Sequence, residues 1–204
     1  MELIFVRHAL PVRTVNEDGS AADPVLDELG HHQAREVAAW LADSAEGRIH
    51  AVIASPMRRA HQTAVPIAAA LGLPISFDED FAEYDRHAAE YIPVEELRKA
   101  KDDRWFELLE GRWGTGVEPV EFQARIVQAT ERVIAGHRGQ RVVIVCHGGV
   151  INAYAASVAD SSKIAGFFHP DYTSIHRFMA ASSGERSVLR LNEVSHLRGK
   201  GLLP

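Results

Sequence analysis

Three short stretches of the chain are apolar without interruption: Leu3-Ile4-Phe5-Val6, Ala51-Val52-Ile53-Ala54 and Val142-Val143-Ile144-Val145. Unbroken runs of strand length predict strands buried on both faces, the habit of parallel sheets covered by helices. Between them the apolar period becomes helical. One helical pattern runs from about 28 to 42, behind the turn-forming Asp23-Pro24. A second takes Ser55 as N-cap and Pro56 as first helical residue, sets Ala60, Ala64, Ile67 and Leu71 on one face, and stops at Gly72-Leu73-Pro74. Further helices are expected near 94–110, 119–136 and 149–159. Two late strands, near 174–179 and 187–191, flank Ser182-Ser183-Gly184-Glu185, which reads as a hairpin connection. This alternation predicts a layered α/β architecture. With no repeat and no linker-like stretch, one domain over residues 1–204 is expected.

Composition narrows the function. With 204 residues and 46% hydrophobic positions, the chain can bury a full core without disulfides or a structural metal. A formal charge of -6 argues against coating nucleic acid or an anionic membrane, so any anion site must be local. Cys146 is the single cysteine, which excludes an internal disulfide or a thiolate zinc site and fits a reducing compartment. Arg7 and His8 interrupt the apolar start at once, leaving neither a secretory core nor a membrane span, and a cytoplasmic location is expected.

Active sites of open α/β sheets lie beyond the carboxyl ends of the strands. Arg7-His8 follows the first apolar run, Ser55-Pro56-Met57-Arg58-Arg59 the second and His147-Gly148-Gly149 the third. Two arginine-bearing turns and two histidines are therefore expected at one rim. Arginine forks suit phosphate oxygens, and glycines at a helix start let backbone N–H groups approach an anion. Arg59 near the positive end of a helix dipole is unfavourable unless an anion is present. A phosphate pocket with a candidate nucleophile is the reading these residues support.

At these positions the sequence resembles the histidine phosphatase superfamily, in its phosphoglycerate-mutase-like branch. The matching motifs are LIFVRHA at 3–9, SPMRRAHQTA at 55–64 and VIVCHGG at 143–149, with LDELGHHQA at 26–34 and Phe81-Ala82-Glu83 in support. The resemblance implies a three-layer αβα sandwich with a mostly parallel central sheet and no cofactor or metal. It makes His8 the phosphate-accepting nucleophile, Arg7, Arg59 and His147 the phosphate binders, and Glu83 the proton donor. Gly148, Arg13 and Thr14 complete the substrate-binding candidates. Two stretches depart from the family pattern, 9–14 and 84–91, both where the non-phosphate portion of a substrate would sit. The resemblance therefore implies the reaction more firmly than any substrate.

The chemistry follows from the side chains. His8 must attack as neutral imidazole, with its other ring nitrogen held as a donor to a backbone carbonyl. Flanking arginines lower its pKa. Arg7, Arg59 and His147 can balance the charge on the transferring group. Glu83 must start protonated, and as carboxylate can then activate water; Glu79 and Asp80 are the rival acids. Other singled-out residues have plainer expectations. His31 and His32, adjacent on a helix and facing different directions, make a poor shared metal site; His87, His169, His176 and His196 are read as solvated or structural, the 85–90 stretch as an exposed loop, and 105–109 as a packed helix face.

Other classes fail by counting. A cysteine phosphatase needs an arginine six positions after its nucleophile, where Asn152 stands, and G-x-S-x-G, P-loop and G-x-G-x-x-G motifs are absent. The expected activity is hydrolysis of a phosphomonoester, with a phosphomutase or an idle phosphate-binding module as alternatives. Against a mutase, just the 84–117 segment is available as a cover. The expected partner is a phosphorylated small molecule, with a phosphorylated protein as the second class.

Overall fold

The computed structural model of the chain describes residues 1–110, 112 and 116–203. Its centre is a six-stranded sheet made of β1 (Glu2–Arg7), β3 (Ala51–Ala54), β4 (Ile75–Phe77), β6 (Arg141–Cys146), β7 (Ile175–Ala180) and β8 (Arg186–Glu193). The spatial order is β4-β3-β6-β1-β7-β8. Neighbours run parallel from β4 to β1, whereas β7 is antiparallel to β1 and β8 to β7. The two late strands are thus the hairpin read from the sequence, turned at Gly184 with φ 113°.

The unbroken apolar runs have a direct cause. Successive side chains leave opposite faces of a strand, and here both faces are covered. Ile4, Val6, Val52, Val143 and Val145 pack under α1 (Glu28–Leu41) and α2 (Arg58–Leu71). Leu3, Phe5, Ile53, Val142 and Ile144 pack under α5 (Pro119–Gly136) and α6 (Gly148–Val158). Burying each such side chain contributes about 1.5–3 kcal/mol. The result is three layers, helix on sheet on helix. None of the helices in the described residues is long and apolar enough to cross a membrane.

Three local expectations need correction, and two features lie outside the sequence reading. Helix α2 begins at Arg58, not at Pro56, and its N-terminal N–H is capped by Asp23, whose Oδ1 accepts from Arg58 N at 2.9 Å. Ser55 does not act as its cap, because its hydroxyl is hydrogen-bonded to His147 Nε2 at 2.8 Å. The 94–110 helix is two, α3 (Val94–Ala100) and α4 (Asp103–Leu109), broken at Lys101 in the left-handed region (φ 52°) and restarted by Asp102, which accepts from Arg104 N. The edge strand β4 was not anticipated, since three residues give too short a pattern to read. Nor was the pairing of β2 (Thr14–Val15) with β5 (Glu90–Tyr91), which ties the loop after β1 to the one after Glu83. Within the 84–117 cover segment, residues 111 and 113–115 lie outside the described residues.

Candidate active site

Register brings the two histidines together. Arg7 pairs with Cys146 at the ends of β1 and β6, so the next residue of each strand, His8 and His147, emerges at the same sheet edge. Their ring centroids are 5.1 Å apart, and His8 N donates to Cys146 O at 2.9 Å. Ala54 pairs with Val145 one strand over, which sets Ser55 beside His147.

The loop carrying His8 is clamped from both sides. Ala9 N donates to Thr63 Oγ1 on α2, and Leu10 N donates to Gln33 Oε1 on α1. Gly30 is required at the α1 contact, because a Cβ there would stand 2.0 Å from Leu10 O. Asp27 starts that helix by accepting from Gly30 N at 2.6 Å. These contacts give the 26–34 motif its structural purpose.

His8 is buried, and its Nδ1 lies 2.8 Å from Ala9 O, an acceptor. The proton therefore resides on Nδ1. Burial, reinforced by the charges of Arg59 and Arg7, pushes the imidazole pKa well below its ordinary value, against the pull of the Ala9 contact. Neutral His8 with its proton on Nδ1 leaves a lone pair on Nε2. Burial likewise lowers the pKa of His147, again helped by Arg59, His8 and Arg7.

Both arginines are buried, Arg59 fully and Arg7 at 6% exposure. Arg7 lies over the Tyr172 ring at 3.9 Å, donates from Nη1 to Pro170 O at 2.6 Å and sits 3.7 Å from Glu95 Oε1. Arg59 lies over the Tyr91 ring at 4.7 Å and donates from Nη2 to Asp85 Oδ1 at 2.9 Å. Neither fork is used up. Arg7 Nε, Arg59 Nε and Nη1, and His147 Nδ1 are buried without a hydrogen-bond partner.

Glu83 comes from the far end of β4. Phe81, fully buried and edge-on to Phe5 at 6.3 Å, anchors the turn that delivers it. Its Oε2 accepts from Gly149 N at 2.8 Å and its Oε1 from Tyr84 N at 3.1 Å. Burial and the neighbouring Asp85 push its pKa up to about 7, although the Gly149 N–H and Arg59 pull the other way. Its rivals stand elsewhere: Glu79 pairs with Arg86 and Asp80 with Arg132, both at the surface.

Arg7, His8, Arg59, Glu83 and Gly148 line one cavity of about 250 Å³; His147 is not among its lining residues, but its ring centroid is 5.1 Å from that of His8. Arg13 and Thr14 do not line it. Arg13 projects outward and meets Glu96 at 3.6 Å, while Thr14 is taken up in the pairing with Tyr91.

Several participants were not legible in the sequence. Asp85, read as part of an exposed loop, is half-buried and bonded to Arg59. His169, read as isolated, lines the cavity 3.5 Å from Glu95 Oε1. Glu95 itself is buried and accepts from Tyr172 OH at 2.9 Å. Burial disfavours its charge, yet His169 and Arg7 prevail and hold its pKa at about 2. The 105–109 stretch is no packed core face, since α4 has no buried residue and Trp105, Leu108 and Leu109 face the cavity. By contrast His176 and His196 are buried structural residues, bonded to Ser174 and Thr173, while His31, His32 and His87 are exposed.

Comparison with known proteins gives the following. The profile of the histidine phosphatase superfamily (branch 1) matches residues 3–194. The bifunctional protein Rv2228c of Mycobacterium tuberculosis is 29% identical over 86% of this chain, which spans about half of that relative's length (49%). Phosphoserine phosphatase 1 of Hydrogenobacter thermophilus is 28% identical over 97% of this chain and 94% of its own. In structure, phosphoserine phosphatase from Entamoeba histolytica in complex with 3-phosphoglyceric acid superposes with a TM-score of 0.74 at 23% identity, covering 96% of this chain and 98% of that one.

Proposed function

The chain belongs to the histidine phosphatase superfamily (branch 1), and from that premise we propose that it hydrolyses a phosphomonoester through a phosphohistidine on His8. One observation carries the reading: Arg7 and Arg59, with three buried donors that have no partner, share a cavity with a neutral imidazole and a carboxyl of raised pKa, and His147, with a fourth such donor, has its ring 5.1 Å from that imidazole. Buried polar groups are nearly always paired. Donors left open in this number, on two guanidinium groups and an imidazole, suit a tetrahedral oxyanion.

The reaction has two balanced halves. The Nε2 lone pair of His8 attacks phosphorus, the ester P–O bond breaks, and Glu83 gives its proton to the departing alkoxide oxygen. Glu83, now a carboxylate, takes a proton from water as the water oxygen attacks phosphorus. The N–P bond then breaks, its electron pair returns to Nε2, and inorganic phosphate leaves with Glu83 protonated again. Arg7, Arg59 and His147 carry the charge of the three equatorial oxygens. His147 serves as a donor when Ser55, which accepts from Met57 N, gives its own proton to Nε2 and leaves the ring proton on Nδ1. Gly148, at the start of α6, adds the positive end of a helix.

Because the guanidinium groups supply the positive charge, exhaustive chelation is expected to leave the rate unchanged, while vanadate inhibits competitively with substrate. Loss of activity with EDTA and its return with a divalent ion would contradict this. Phosphate release should be stoichiometric with alcohol release. Exchange between 2- and 3-phosphoglycerate, primed by bisphosphoglycerate and faster than any hydrolysis, would favour a mutase instead.

Glu83 is placed by backbone, so its position can be disturbed without changing its chemistry. A Cβ on Gly149 would lie 2.3 Å from Glu83 Oε1 and 2.9 Å from the Tyr84 ring. Gly149→Ala must displace the carboxyl, and a misplacement of about 1 Å costs on the order of 10²-fold. The loss should appear in kcat for an alkyl phosphate, with the circular dichroism spectrum unchanged. Wild-type kcat in the variant would show that the carboxyl position does not matter.

A further inference from the structure

Past the phosphate-binding end, the cavity changes character. It is lined there by Ile92, by Val94 and Leu97 of α3, and by Trp105, Leu108 and Leu109 of α4. Ala165 and Phe168 close it from the loop before β7. Helix α4 buries none of its own residues, so its apolar side is spent on this space and not on the core.

Apart from the open donors of Arg7 and Arg59, the polar side chains Asn152, His169 and Asp85 of the cavity are already engaged. Asn152 donates from Nδ2 to Gly148 O and accepts at Oδ1 from Phe168 N. His169 is turned to Glu95, and Asp85 to Arg59. Among the described residues that line the cavity, Arg7 and Arg59 are the only arginines and no lysine occurs. Other arginines around it are committed elsewhere: Arg104 to Asp102 and Glu90, Arg112 to Glu110, and Arg125 to the Ala82 carbonyl. A substrate carboxylate would therefore enter an apolar chamber whose two arginines are held for the phosphoryl group, whose His169 is paired with Glu95, and which has Asp85 close by. Burying an unpaired carboxylate is among the costliest events in a protein.

Resting on the phosphatase reading, we propose that the site takes phosphomonoesters whose alcohol portion is uncharged and apolar, a small aryl or alkyl group. The cavity holds about 250 Å³ and shares Tyr84, Asp85, Tyr91, Ile92, Leu97 and Leu108 with a neighbouring one of about 380 Å³, so it is the apolar lining and not the volume that selects this group. This sets the chain apart from the relative named as a phosphoserine phosphatase, whose substrate carries both an ammonium and a carboxylate group.

The test compares esters of equally poor leaving groups, so that intrinsic reactivity does not decide the outcome. For the wild-type protein, kcat/KM with 2-phenylethyl phosphate and hexyl phosphate is expected to exceed that with O-phosphoserine and 3-phosphoglycerate by about 10²-fold. In Trp105→Ala that ratio should fall about tenfold. Leu108→Arg, which puts a cation in the chamber, should move the ratio toward the carboxylate substrates. A wild-type preference for phosphoserine or 3-phosphoglycerate overturns the proposal and leaves the phosphatase reading standing. An unchanged ratio in both variants, each folded by its melting curve, also overturns it. Failure to hydrolyse any of these esters, and p-nitrophenyl phosphate as well, would end both.

Discussion

Replacing His8 with alanine is expected to abolish turnover, a loss on the order of 10⁶-fold if the nucleophile is removed from a covalent mechanism. The same change should remove the phosphoenzyme. Labelled substrate mixed with wild-type protein and quenched without acid should leave an alkali-stable, acid-labile phosphoryl group, and His8→Ala should leave none. His8 is buried, so folding must be controlled. The control lies in the site: Arg7, Arg59 and His147 keep their open donors in the variant, and vanadate or phosphate should still bind and raise its melting temperature. A variant that binds vanadate and labels as well as wild type would refute the assignment.

Glu83→Gln is the second large effect, about 10² to 10⁴-fold on a substrate with an alkoxide leaving group. The amide keeps the shape of the carboxyl but cannot deliver its proton. An aryl phosphate, whose oxygen departs with little protonation, should suffer much less, and equal losses on both would instead indicate packing. The pH dependence follows in sign. Glu83 is the donor when protonated, and its pKa is pushed up to about 7, so kcat/KM for alkyl phosphates should be high below pH 7 and fall as pH rises through that value. His8 is neutral across this range, because burial and the arginines hold its pKa well below the ordinary one. Bound phosphate adds negative charge beside Glu83 and should move the limb in kcat to higher pH than that in kcat/KM. A flat profile between pH 6 and 8.5 would contradict the role.

What the sequence made visible was local. The apolar runs at 3–6, 51–54 and 142–145 are contiguous, and the residues that follow them, Arg7-His8, Ser55 to Arg59 and His147-Gly148, share one sheet edge because the strands are parallel and in register. The partners that orient these residues are remote. Tyr172 reaches Glu95 across 77 positions, Arg7 reaches Pro170 across 163, and Arg59 meets Asp85 across 26. No period or motif marks such contacts. Asp85 looks like any acid in a charged loop until folding places Arg59 against it. Arg13 and Thr14 illustrate the converse: nearness to His8 in the chain does not carry them into the cavity lining, since the turn after Leu10 leads to Glu96 and to the pairing with Tyr91. Ser55 was legible as a residue of the site but not in its task, because its hydroxyl serves a histidine 92 positions away and not the helix beside it.

The open donors of Arg7, Arg59 and His147 also bear on how well the protein endures heat. Each buried polar group left without a partner costs about 1–3 kcal/mol, a large share of the roughly 5–15 kcal/mol that separates folded from unfolded chains. Selection for ruggedness alone would fill these positions with aliphatic side chains. Donors kept for a ligand are not spent on the fold, and their cost is felt as far as water in the cavity does not meet them. A ligand held by them returns the deficit by mass action, about 2.7 kcal/mol at a hundred times its Kd. The melting temperature of this chain is therefore expected to rise with added inorganic phosphate, and a phosphate that stabilises the protein in this way should also compete with substrate.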